Sequence, residues 1–213
     1  PDGRLWRLRI QSPGAKNMNL GITRFEMPDG ARLWIYDPGH KLVHGPYTSR
    51  DRSHQGSLWT PLVPGDEIVV EVFVPTNSRE PVIQIGSVNR GYRDLGGPPD
   101  LILSCENDVI CPEGDPWRNQ IRSVGKYSVN GVDTCSGQLV NNTSLDFTPY
   151  FLSAEHCDVD STNDATVVVY WNFESPNCGD HGGGSLADNQ TGAIFRASSV
   201  ASDAQTTARF SYR

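Results

Sequence analysis

All five cysteines of this 213-residue chain lie after residue 100, at Cys105, Cys111, Cys135, Cys157 and Cys178. The first hundred residues contain none, and the change falls beside Gly96-Gly97-Pro98-Pro99, a string that reads as a loop or linker. The chain is therefore divided into residues 1–95, a linker over 96–104, and residues 105–213. An odd cysteine count fits an exported protein in which one sulfur is free or pairs outside the chain. The sequence opens on Pro1 rather than Met, so a leading segment is expected to have been removed or left unrecorded.

Both parts read as β structure. Gly (21) and Pro (15) are frequent, and Val, Ile, Thr and Tyr outnumber helix-forming runs, which favours short strands joined by turns. In the first part the expected strands are Leu5 to Ile10, Ala31 to Tyr36, Ile68 to Val74 and Val82 to Val88. Pro28-Asp29-Gly30, Asp37-Pro38-Gly39 and Pro64-Gly65-Asp66 supply turns between them. This spacing suits a β-sandwich. His40, His44 and His54 have no metal-ligand spacing and are expected in surface loops. Trp34, Tyr36, Tyr47 and Trp59 fit either a sugar-binding face or packing at the core and its rim.

Charge excludes some functions. Lys and Arg number 18 against 25 Asp and Glu, a formal −7, which is unsuited to nucleic acid or an anionic membrane surface. No apolar run approaches the roughly 18 residues of a membrane span.

In the second part the expected strands are Gly125 to Val129, Gly137 to Val140, Tyr150 to Leu152 and Thr166 to Phe173. The informative strings are Cys135-Ser136-Gly137-Gln138-Leu139-Val140 and Phe151-Leu152-Ser153-Ala154-Glu155-His156-Cys157. Two strands so marked permit a Cys135 to Cys157 bridge beside His156, which would hold the imidazole at a strand end. A general-base histidine needs such fixing, with a carboxylate on its other ring nitrogen.

On these residues the chain resembles the chymotrypsin-like serine endopeptidases, and within them the bacterial lysyl endopeptidase group. Cys105-Glu106-Asn107-Asp108-Val109-Ile110-Cys111-Pro112, Ile121-Arg122-Ser123-Val124-Gly125-Lys126-Tyr127-Ser128 and Val167-Val168-Val169-Tyr170-Trp171-Asn172-Phe173 follow in the group's order. The first part is similar to the non-catalytic region of such precursors. The resemblance implies an all-β fold, a leading β-sandwich and then the first β-barrel of the protease, with the second barrel missing. It implies His156 as general base, Asp203 as the triad carboxylate, and bridges Cys135–Cys157 and Cys111–Cys178. Cys105 would pair with a cysteine of the absent part. After Asp203 the segment Ala204-Gln205-Thr206-Thr207-Ala208-Arg209 is polar where the group has an apolar strand.

The nucleophile of this class lies in Gly-Asp-Ser-Gly, and the sequence has no such string. Gly179-Asp180-His181-Gly182 and Ser185 precede Asp203, the wrong side for that role. The implied function is thus the front portion of a secreted or periplasmic serine endopeptidase, inactive by itself, with a protein or peptide substrate and the missing barrel as intramolecular partner. No cofactor and no metal is implied. Zinc held by Cys178, His181, Cys157 and His156 competes with disulfide use of the same sulfurs, which an exported chain favours. The alternative function is a non-enzymatic, protease-like β protein that binds a protein or a polysaccharide.

Overall fold

The structure is a computed structural model that describes residues 2–93, 95, 107–180, 183–199 and 206–209. It is mostly β, and the first part contributes eight strands among the described residues. These are β1 (Gly3–Gln11), β2 (Asn17–Glu26), β3 (Arg32–Tyr36), β4 (Val43–Tyr47), β5 (Leu58–Trp59), β6 (Val63–Pro64), β7 (Glu67–Pro75) and β8 (Val82–Gly91). One sheet runs β1-β7-β3-β4; in the other, β2 pairs with β5, β6 and β8. Leu33, Ile35, Val70 and Val72 of the first sheet meet Met18, Leu20 and Ile22 of the second in one buried cluster. Their period of two is the strand alternation that turns one face inward.

After the short helix α1 (Arg118–Ile121), the second part forms β9 (Val124–Val129), β10 (Asp133–Val140), β11 (Tyr150–Ser153), β12 (Val168–Trp171), β13 (Asn189–Thr191), β14 (Ile194–Ala197) and β15 (Thr206–Arg209). They make one antiparallel sheet in the order β13-β12-β9-β10-β11-β15-β14. Its two outermost strands, β13 and β14, are separated in the chain only by Gly192 and Ala193. So short a link brings the sheet's opposite margins together. Inside, Phe151 meets Tyr127 and Trp171 edge to face, with centroids 5.5 and 5.7 Å away. A Cβ on Gly137 would stand 2.4 Å from Phe151 Cε1, so only glycine admits that ring beside β10.

The two parts pack together. Val167 and Val169 enter the second part's core, while Val168 and Tyr170 turn the other way and are buried with Leu62 of the first part. Leu62 N donates to the Tyr170 hydroxyl at 2.9 Å, and the Thr191 hydroxyl donates to the Trp59 carbonyl.

Several expectations change. His44 is not a surface histidine: it lies in β4, is buried, and its Nε2 sits 3.0 Å from the Leu62 carbonyl. The second part covers it, a contact that no local pattern announces. His40 is exposed and stacks on Tyr36 at 4.4 Å, and His54 faces Asp164 at 3.3 Å. Tyr36 and Tyr47 are buried, so with Trp34 and Trp59 they present no continuous aromatic face. The strand expected over Thr166 to Phe173 is shorter, because Asp164–Thr166 forms a 3-10 turn and Asn172 takes a φ of 50°.

Candidate active site

His156 sits in a single 3-10 turn, Glu155–Cys157, directly after β11. Three restraints fix it. Upstream, β11 is paired on both margins, with β10 and with β15. Downstream, Cys157 is bridged to Cys135 of β10. The turn then closes through Asp158, whose φ of 53° and N–H bond to the Glu155 carbonyl end it at once.

A polar network lies beneath the bridge. The Ser153 hydroxyl is 2.9 Å from the Ser136 carbonyl, 2.7 Å from the Tyr127 hydroxyl and 3.6 Å from Cys157 Sγ. A carbonyl only accepts, so Ser153 gives its one proton to Ser136, and Tyr127 donates to Ser153. Burial pushes the Tyr127 phenol up, against the opposing Ser153 bond, which keeps it a neutral donor.

The imidazole is exposed over a hollow of about 480 Å3 whose walls include Val129, Asn130, Thr134, Asp158 and Asn163. One wall is the β9–β10 hairpin turn, where Asn130 and Gly131 both take positive φ and Val132 N donates to the Val129 carbonyl. The other is the loop from Asp158 to Asp164. It is stitched by Asn163 Nδ2 to the Asp158 carbonyl at 2.7 Å and by Asp160 accepting from Thr162. Those Thr162 bonds hold the Asp160 carboxyl below its ordinary range. Asn130 and Asn163 were missed as candidates from the sequence. The Asn-Gly pair was a legible hairpin signal, and Asp160-Ser161-Thr162-Asn163-Asp164 reads as a loop, but neither string shows that the two face one hollow.

His156, Cys135 and Cys157 bring their ligand-type atoms within 4.8 Å of one another. Both sulfurs are consumed in the bridge, so the cluster offers no thiolate and does not suit a metal ion. The second bridge, Cys111–Cys178, ties the segment before α1 to the loop after β12. Gly179 and Asp180 lie in that exposed loop, with Gly179 N donating to Asp108 at 3.0 Å, and Ser185 is exposed nearby in sequence. Asp203, Cys105 and His181 lie outside the described residues.

The family profile of the lysyl endopeptidase N-terminal domain matches residues 1–86, and that of the lysyl endopeptidase C-terminal domain matches residues 103–208. The chain belongs to the lysyl endopeptidase family. A lysyl endopeptidase of Pseudomonas aeruginosa is 27% identical over 202 residues, an alignment that covers 84% of this chain and 42% of the relative. The chain thus spans less than half the length of that curated lysyl endopeptidase. Among the described residues, no helix is long and apolar enough to cross a membrane.

Proposed function

We propose that this chain is the leading part of an exported serine endopeptidase that hydrolyses peptide bonds of protein substrates. In this reading residues 1–95 are a β-sandwich domain like the pro-region of such precursors and residues 105–213 are the first barrel of the protease domain. The observation that carries it is the fixing of an exposed His156 between a doubly paired strand and a disulfide, above an open hollow. The near-closure of the sheet at Gly192-Ala193 supports the barrel, and two disulfides support export.

Asp203 is the carboxylate of this reading. Ser153 pairs with Thr206. The end of β11, from which the His156 turn follows, thus lies beside the start of β15. In the reaction His156 takes the proton of a serine hydroxyl as that oxygen attacks the peptide carbonyl. It then returns the proton to the leaving amine, while Asp203 fixes the tautomer. The serine of a Gly-Asp-Ser-Gly string is supplied from outside this sequence, so the chain alone carries out no turnover.

The test is made in the full-length protease encoded by the gene. There His156→Ala should lower kcat about 10⁶-fold and Asp203→Asn about 10⁴-fold, as members of a triad do. Retention of more than a hundredth of the activity after His156→Ala overturns the assignment.

A further inference from the structure

The hollow beside His156 is walled by two loops, and both are gripped from outside by the leading module. On the loop after His156, Gln55 Nε2 donates to the Ser161 carbonyl at 3.0 Å and to Asp164 Oδ1 at 2.9 Å. Asp164 is 2% exposed, and its other oxygen accepts from Phe195 N at 2.7 Å, so it joins the leading module, this loop and β14. On the hairpin turn, Asn19 Nδ2 donates to the Gly131 carbonyl at 3.3 Å while Asn19 Oδ1 accepts from Asn89 Nδ2 at 2.7 Å. A Cβ on Gly131 would lie 2.2 Å from Asn89 Nδ2, so the hairpin tip rests directly on these amides.

The grips reach the inner side of both walls. Asn163, two residues after Ser161, lines the hollow and holds the Asp158 carbonyl, which directly follows the bridged Cys157. Asn130, which lines the opposite wall, donates its backbone N–H to the Thr166 hydroxyl at 2.8 Å, and that hydroxyl also bonds the Asn163 carbonyl. The two walls are thereby joined to each other as well as to the leading module. This arrangement is polar and specific, unlike the apolar contact around Tyr170, and it ends within one residue of the histidine turn.

We infer that the leading module is a positioning element of the His156 site, with Gln55 the residue that sets the loop from Asp158 to Asp164 against the imidazole. The inference rests on the reading of His156 as general base, yet its readouts need no turnover. A failed triad test in the full-length protease and an unmoved imidazole in this chain are therefore separate failures. Gln55 is exposed and lies in a turn, so its replacement leaves the core intact.

The experiment uses the whole 213-residue chain, labelled at histidine, with the His156 imidazole resonance assigned through His156→Gln. Gln55→Glu sets an acceptor against the Ser161 carbonyl and the Asp164 carboxyl. It should move the His156 resonance and speed amide exchange over residues 158–164 about tenfold, the size expected when a hydrogen bond to a charged group is lost. Gln55→Ala should move both readouts in the same direction by less, and Gln55→Lys, which restores a donor to both acceptors, should return them toward the parent. An unchanged His156 resonance in Gln55→Glu overturns the inference, whether or not loop exchange accelerates. Failure of Gln55→Lys to recover the parent signal does so as well.

Discussion

Replacing Tyr170 by phenylalanine tests how tightly the two parts are joined. The ring is fully buried, and its hydroxyl accepts the Leu62 N–H at 2.9 Å across the contact. Burial pushes the phenol far above its usual range, so the group stays neutral at any working pH. Tyr170→Phe keeps the ring and its apolar packing but leaves Leu62 N–H buried without its acceptor, since Leu62 is only 7% exposed. Stranding such a donor costs about 1–3 kcal/mol. For a chain of this size each kcal/mol moves Tm by about 2–4 °C, so a loss near 2 kcal/mol should lower Tm by about 4–8 °C. Thermal melting followed by circular dichroism and by tryptophan fluorescence gives the value, with Trp59 packed against this cluster as a reporter. A Tm within about 1 °C of the parent would refute the reasoning, because it would mean that Leu62 N–H reaches water and the contact is not closed.

His44 predicts a pH dependence. Its Nε2 must donate to the Leu62 carbonyl, which leaves Nδ1 to accept from Asn189 Nδ2 at 3.3 Å, and burial lowers its pKa. The unfolded chain therefore binds the proton first, so this contribution is intact above about pH 6.5 and is lost as pH falls below it, by up to about 1.4 kcal/mol per pH unit. Urea midpoints between pH 7 and 5 should fall less steeply in His44→Asn than in the parent, and parallel slopes would count against the assignment. Gly137→Ala should cost about 1–3 kcal/mol through overpacking, read as a lower urea midpoint, because its methyl would stand 2.4 Å from the Phe151 ring and 2.7 Å from the Leu152 carbonyl. An unchanged midpoint would show that Phe151 has room to move.

Strands rich in β-branched or aromatic residues were legible from local sequence. The expected Ile68 to Val74 is observed as Glu67–Pro75, and Tyr150 to Leu152 as Tyr150–Ser153. The ten-residue β2 was not, because Asn17, Asn19 and Gly21 are poor strand formers. Asn19 earns its place through Gly131 and Asn89, partners more than sixty residues away. β4 was hidden by Gly45-Pro46, which reads as a turn and here forms a cis peptide within an edge strand. At the site, the His156 and Cys157 pattern was visible because each half of it is an unbroken string, Cys135 to Val140 and Phe151 to Cys157, whereas the pairing of β11 with β15 was not. The hollow's walls were not, since Asn130 and Asn163 are brought together through Thr166, a contact between segments far apart in sequence.

The unbroken apolar run Val167-Val168-Val169-Tyr170 has a consequence for how this chain tolerates change. Odd positions answer to the interior of their own module and even positions to the neighbouring one, so neither parity is free to drift toward polarity. A homologue that had lost the leading module would be under pressure to rewrite residues 168 and 170 alone. An alternating pattern at those two sites would mark the separation in sequence.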